Sequence, residues 1–103
     1  MPMAFDGFDW DAGNRTKCQK HGVSIADIEG VFSRPIAILP DPRHSVREAR
    51  LKAIGSTAQG RLVFLVFTER RRGNRRLIRP ISARYMHAKE IRAYEKAIAG
   101  IEE

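Results

Sequence analysis

Two largely apolar segments, Leu62 to Phe67 and Leu77 to Ile81, stand on either side of the dipeptide Gly73-Asn74. Runs of this length, rich in aliphatic and aromatic residues and divided by a turn signal, read as neighbouring strands of a hairpin. Around and between them the chain carries Arg70, Arg71, Arg72, Arg75, Arg76, Arg79 and Arg84. A guanidinium held at a strand end presents a planar fork that matches phosphate oxygens, so these arginines mark a candidate polyanion site. The plainer reading of Arg70-Arg71-Arg72 is a solvated hairpin tip.

The flanking segments supply helices and two more strands. Ala12 to Lys20 is expected as a short helix stopped by Gly22. Ser24 stands three residues before Asp27, and Ile25, Ile28, Val31 and Phe32 share one face of a second helix that Pro35 must end. Phe5, Phe8 and Trp10 suggest an aromatic anchor for the N-terminal segment. Ile36 to Leu39 reads as a first strand, and Glu48 to Ile54 alternates so that Arg50 and Lys52 oppose Leu51. Gln59-Gly60 turns the chain into the long third strand, and Pro80 requires the fourth to be an edge strand there or to bulge. Ala88, Ile91, Tyr94, Ala97, Ile98 and Ile101 recur at helical spacing, giving an amphipathic C-terminal helix expected to lie over the sheet. The expected fold is therefore α+β: two N-terminal helices, a four-stranded, largely antiparallel curved sheet and a C-terminal helix. Its open face would carry Arg50 and Lys52, with Arg70 and Arg84 at strand ends converging on one anion pocket.

Composition narrows the class. At 103 residues and 43% hydrophobic, residues 1–103 are expected to make one domain. Nineteen Lys plus Arg against 12 Asp plus Glu give a net charge of +7, and arginine outnumbers lysine 14 to 5. That balance favours RNA, DNA or an acidic protein as partner. Cys18 is the one cysteine, which rules out an internal disulfide and points to a reducing cytoplasm. No stretch approaches membrane-spanning length, and the opening residues have no leader pattern, so no membrane association is expected. Cys18 and His21 are too few for a structural zinc site, and His44 and His87 have no partner at recognisable spacing. No cofactor is expected. Neither a phosphate-cradling loop nor a nucleophile elbow occurs.

Several pieces, in order and spacing, resemble the BrnT family of bacterial type II toxins. They are Phe8-Asp9-Trp10-Asp11, Lys20 to Ser24, Val31-Phe32, Glu48 to Arg50 before Ile54-Gly55, Gly60-Arg61-Leu62, Phe67 to Arg70, Ile81 to Arg84, and Glu90 to Tyr94. The resemblance implies a RelE-like fold and a metal-independent endoribonuclease that cleaves RNA, expected to be messenger RNA, and so inhibits translation. It also implies neutralisation by a BrnA-type antitoxin in a two-plus-two heterotetramer, with DNA bound only through the antitoxin's ribbon-helix-helix domain.

Cleavage of RNA without metal needs a base for the 2′-hydroxyl, a cation for the charge gathering on phosphorus, and an acid for the leaving 5′-oxygen. Arg70 and Arg84, both within matched segments, suit the cationic role. His21 and Glu69 are the candidates for proton transfer, although a histidine before a helix-ending glycine also serves as a structural cap, and Glu69 or Glu48 also suits pairing with an arginine. Arg50, Lys52, Thr68 and Tyr85 are the candidates for holding substrate, Tyr85 by stacking or proton donation. The alternative function is a non-catalytic basic module that grips an acidic antitoxin or nucleic acid.

Overall fold

The computed structural model describes residues 5–42 and 48–102, so His44 lies outside the described residues. In chain order these residues form β1 (Gly7–Phe8), α1 (Ala12–Cys18), α2 (Ile25–Val31), β2 (Ala37–Pro40), β3 (Arg50–Ser56), β4 (Leu62–Arg72), β5 (Arg75–Tyr85) and α3 (Ala88–Glu102). The sheet runs β1-β5-β4-β3-β2. Only β1 is parallel to its neighbour, pairing Gly7 with Leu77 and Phe8 with Ile78. The architecture is α+β and the sheet largely antiparallel as expected, but it has five strands rather than four, and the parallel β1 makes it mixed. A two-residue strand is too short to show an alternating pattern, which is why β1 is invisible in the sequence.

The hairpin dominates the sheet. Gly73 adopts φ +61°, the left-handed backbone that glycine enters without penalty, and β4 and β5 pair from Arg72 with Arg75 back to Val63 with Tyr85. The register shifts at Val66/Phe67, where Val66 faces Ser82 and Phe67 faces Pro80, leaving Ile81 as the extra residue of a bulge. Pro80 thus sits in the bulge its missing N–H demands. Beyond Ile78 the outer edge of β5 is covered by α1 instead of a strand, and the Asn14 side-chain amide donates to the Pro80 carbonyl at 2.9 Å.

Helices α1 and α2 close one face of the sheet. Asp11 caps α1 by accepting from the Asn14 backbone N–H, and Ser24 caps α2 by accepting from Asp27. Cys18, Val23, Ile28 and Val31 bury against Ala53, Val63, Leu65 and Phe67. Gly55 permits the closest approach, since a Cβ there would stand 2.7 Å from both Ile36 and Val31 side-chain carbons. The aromatic anchor is present: Phe5 and Phe32 each meet Phe67 edge-on, and Phe8 meets Phe32. Trp10 Nε1 donates to Glu29 at 2.9 Å. Burial disfavours the Cys18 thiolate and pushes its pKa up to about 11, so this thiol is a packing group.

The C-terminal helix departs from expectation. It does not lie over the sheet: Glu90, Ile91 and Tyr94 are partly buried, while every residue from Glu95 to Gly100 is exposed. Its attachment is at its first turn, where Glu90 accepts from the His87 backbone N–H and from both Nη atoms of Arg84. Amphipathic spacing shows that a helix has an apolar stripe and not which surface receives it. Among the described residues no helix is long and apolar enough to cross a membrane.

Candidate functional site

Strand parity defines the face away from α2. The buried positions Ala53 and Gly55 of β3, and Val63, Leu65 and Phe67 of β4, alternate with Arg50, Lys52 and Ile54, and with Phe64, Val66 and Arg70. Arg84 of β5 pairs with Phe64 and stacks over its ring, 4.9 Å from Cζ to centroid. The arginine-bearing face foreseen from alternation is therefore real, but the convergence of Arg70 with Arg84 is not. Arg84 lies opposite Phe64, six residues along β4 from Arg70, which is about 20 Å at roughly 3.3 Å per residue. The reason is hairpin geometry: Arg70 is three positions before Gly73 and Arg84 ten positions after Asn74, so antiparallel pairing must send them to opposite ends. Counting from the turn would have found this.

Each arginine lines its own pocket. At one end a cavity of about 450 Å³ is bounded by His21, Arg61, Arg84, Tyr85, Met86 and His87. The α1 stop delivers His21, since Gly22 turns at φ +88° immediately after it. Arg61 enters from the start of β4 and lays its guanidinium on the Tyr85 ring, 3.5 Å from Cζ to centroid. His87 leads into α3 and donates its backbone N–H to Glu90. Arg84 is gripped by Glu90 through two parallel bonds of 2.7 and 2.8 Å. That carboxylate raises the Arg84 pKa, and the Arg84 guanidinium, helped by the His87 N–H, holds Glu90 down at about 2.

At the other end a cavity of about 440 Å³ is lined by Gly13, Asn14, Lys17, Glu48, Arg50, Arg70, Arg79, Pro80 and Ile81. Arg70 Nη2 bonds Glu48 at 3.1 Å, and its Nε is buried without a hydrogen-bond partner among the described residues. Arg79 is tied to Asp11 at 2.8 Å and to Asp9 at 3.6 Å. The Asn14 backbone N–H and the Arg79 side chain together lower the Asp11 pKa.

The structure thus brings His21, Arg84 and Tyr85 together, and Arg70 with Arg50, in two separate places. Three candidates line neither pocket. Glu69 is engaged by the Arg76 guanidinium across the hairpin. Thr68 is 2% exposed and donates its hydroxyl to the Ala49 carbonyl at 2.7 Å. Lys52 faces Asp41 at 3.8 Å. Arg61 and His87 were passed over, because no spacing rule links residues joined only through the sheet. Among the described residues no three His, Cys, Asp or Glu side chains gather to hold a metal ion.

Two arginines, two histidines and a tyrosine around one cavity can bind a phosphodiester and move protons beside it. No curated protein matches the chain. Residues 10–90 match the family described as "Ribonuclease toxin, BrnT, of type II toxin-antitoxin system". With that match covering most of its length, the chain belongs to the BrnT family of ribonuclease toxins.

Proposed function

We propose that the chain is a metal-independent endoribonuclease whose reaction occurs in the Arg84 pocket. The observation that carries this reading is the gathering of His21, His87, Arg61, Arg84 and Tyr85 around one cavity. Imidazole is the side chain suited to accept and return a proton near neutral pH, and this cavity has two. One takes the 2′-hydroxyl proton as that oxygen attacks phosphorus, and the other protonates the departing 5′-oxygen. The products are a 2′,3′-cyclic phosphate and a 5′-hydroxyl. Arg84, fixed by Glu90 and the Phe64 ring, meets the charge that builds on the phosphoryl oxygens. The Arg61–Tyr85 stack offers a platform for an adjacent base.

Messenger RNA is the substrate in this reading, and its cleavage stops translation. Membership of a type II toxin family supports a protein antitoxin as partner; in this reading it is of the BrnA type, assembles two-plus-two with the toxin, and alone contacts DNA through its ribbon-helix-helix domain. A second reading has one observation in its favour: Arg70 and Arg84 already meet carboxylates, Glu48 and Glu90, as they would meet an acidic partner. Incubating the purified chain with RNA in EDTA separates the two. Cyclic-phosphate ends that disappear with Arg84→Ala establish the nuclease, and intact RNA that is merely bound establishes the binding module.

A further inference from the structure

Resting on the proposed cleavage in the Arg84 pocket, we infer that the Arg70 pocket is a remote subsite for a backbone phosphate of the same RNA strand. Four cations from four elements line it, Lys17 of α1, Arg50 of β3, Arg70 of β4 and Arg79 of β5, with Glu48 beside Arg70 and with Asp9 and Asp11 holding Arg79. Guanidinium and ammonium groups that converge on a concave site recognise phosphate. Among the described residues the buried Arg70 Nε–H has no acceptor, while the side chain as a whole is 41% exposed and can turn its guanidinium toward an anion oxygen. Among the described residues no histidine or tyrosine lines this cavity, so what is described there suits holding an anion.

Both pockets open on one sheet face, and Lys52 lies between them by register. A strand anchored at Arg70 and cut at Arg84 crosses about 20 Å, which is about six nucleotides at the helical rise of ~3.4 Å and fewer when the strand is stretched. The substrate is therefore a single strand several nucleotides long, and a trinucleotide occupies one pocket at a time.

The test uses 2′-O-methyl oligonucleotides of mixed sequence, which carry RNA's phosphates and bases without the attacking hydroxyl, as a trinucleotide and as a 12-mer. Binding to the full chain is followed by fluorescence anisotropy and by amide NMR shifts. The 12-mer should perturb amides at both Asn14 and Met86. Arg70→Ala should weaken the 12-mer at least tenfold and the trinucleotide less than twofold. It should also lower the salt slope by about 0.7, the value of one lost phosphate contact on a single strand. Lys17→Ala, on an exposed helix position, repeats the pattern more mildly with no risk to the core. Lys89→Ala, which removes an equal charge on exposed α3, should change neither. Equal weakening of both lengths by Arg70→Ala, or of neither, overturns the subsite. So does loss of antitoxin binding with RNA binding intact. If unmodified RNA is cut while Arg70→Ala leaves the 12-mer unaffected, the subsite fails and the nuclease stands. If RNA is never cut but the 12-mer pattern holds, the subsite stands and the cleavage reading fails.

Discussion

The two ends of the basic face look alike in composition and differ in chemistry. At each, a motif arginine projects from a strand and meets a carboxylate: Arg70 with Glu48, Arg84 with Glu90. Around Arg84 stand two imidazoles and a phenol, whereas the described residues around Arg70 are further cations, the Glu48 carboxylate, the Asn14 amide and small or apolar groups. Positive charge alone can gather a polyanion anywhere along this surface. Proton transfer needs groups that titrate, and among the described residues they are gathered at one end. The difference teaches that arginine density, the most conspicuous feature of the chain, does not by itself locate the cavity with proton-transfer groups, which is the one proposed as the reacting centre.

Substitution at the reacting end should have the largest effect. Arg84→Ala removes the donor proposed to meet developing charge, for which losses on the order of 10² to 10³ in rate are typical, and steady-state cleavage of a labelled RNA checks it. His87→Ala should cost on the order of 10² with RNA affinity retained, in keeping with the proposed role of its imidazole in moving a proton. A loss of affinity without a loss of rate would erase the distinction between the ends.

A third prediction concerns acid stability. Because the folded Glu90 carboxyl lies at about 2, below its ordinary 4.5, it contributes stability that is fully present above the higher value. That contribution fades as pH falls through the lower one. Glu90→Gln should therefore lower the urea midpoint near neutral pH, and the gap from the parent chain should narrow as the pH is taken down to about 3. An unchanged gap would mean that Arg84 does not depend on its carboxylate. The smallest effect belongs to Arg71→Ala, at an exposed position of the hairpin outside both pockets, which should alter RNA cleavage less than twofold.

Much of this was legible from residues. The β4–β5 hairpin follows from two apolar runs and a Gly-Asn turn, the choice between edge and bulge from Pro80, and the start of α2 from Ser24. Local chemistry fixes those features. What was not legible depends on contacts between distant segments. The strand β1 exists only because β5 offers it an edge. His87 becomes part of a site only because α1 sets His21 beside the end of β5. The course of α3 is set by the Arg84–Glu90 clasp, which no periodicity encodes.

The division of labour between the two ends is tested most directly by separating kcat from KM for single-stranded RNA in EDTA with four variants. The account predicts that His21→Ala and His87→Ala lower kcat by on the order of 10² with little change in KM. It predicts that Arg84→Ala lowers kcat further, and that Arg70→Ala acts mainly by raising KM at least tenfold. A collapse of kcat in Arg70→Ala, with both histidine variants still cutting RNA at the parent rate, would contradict it.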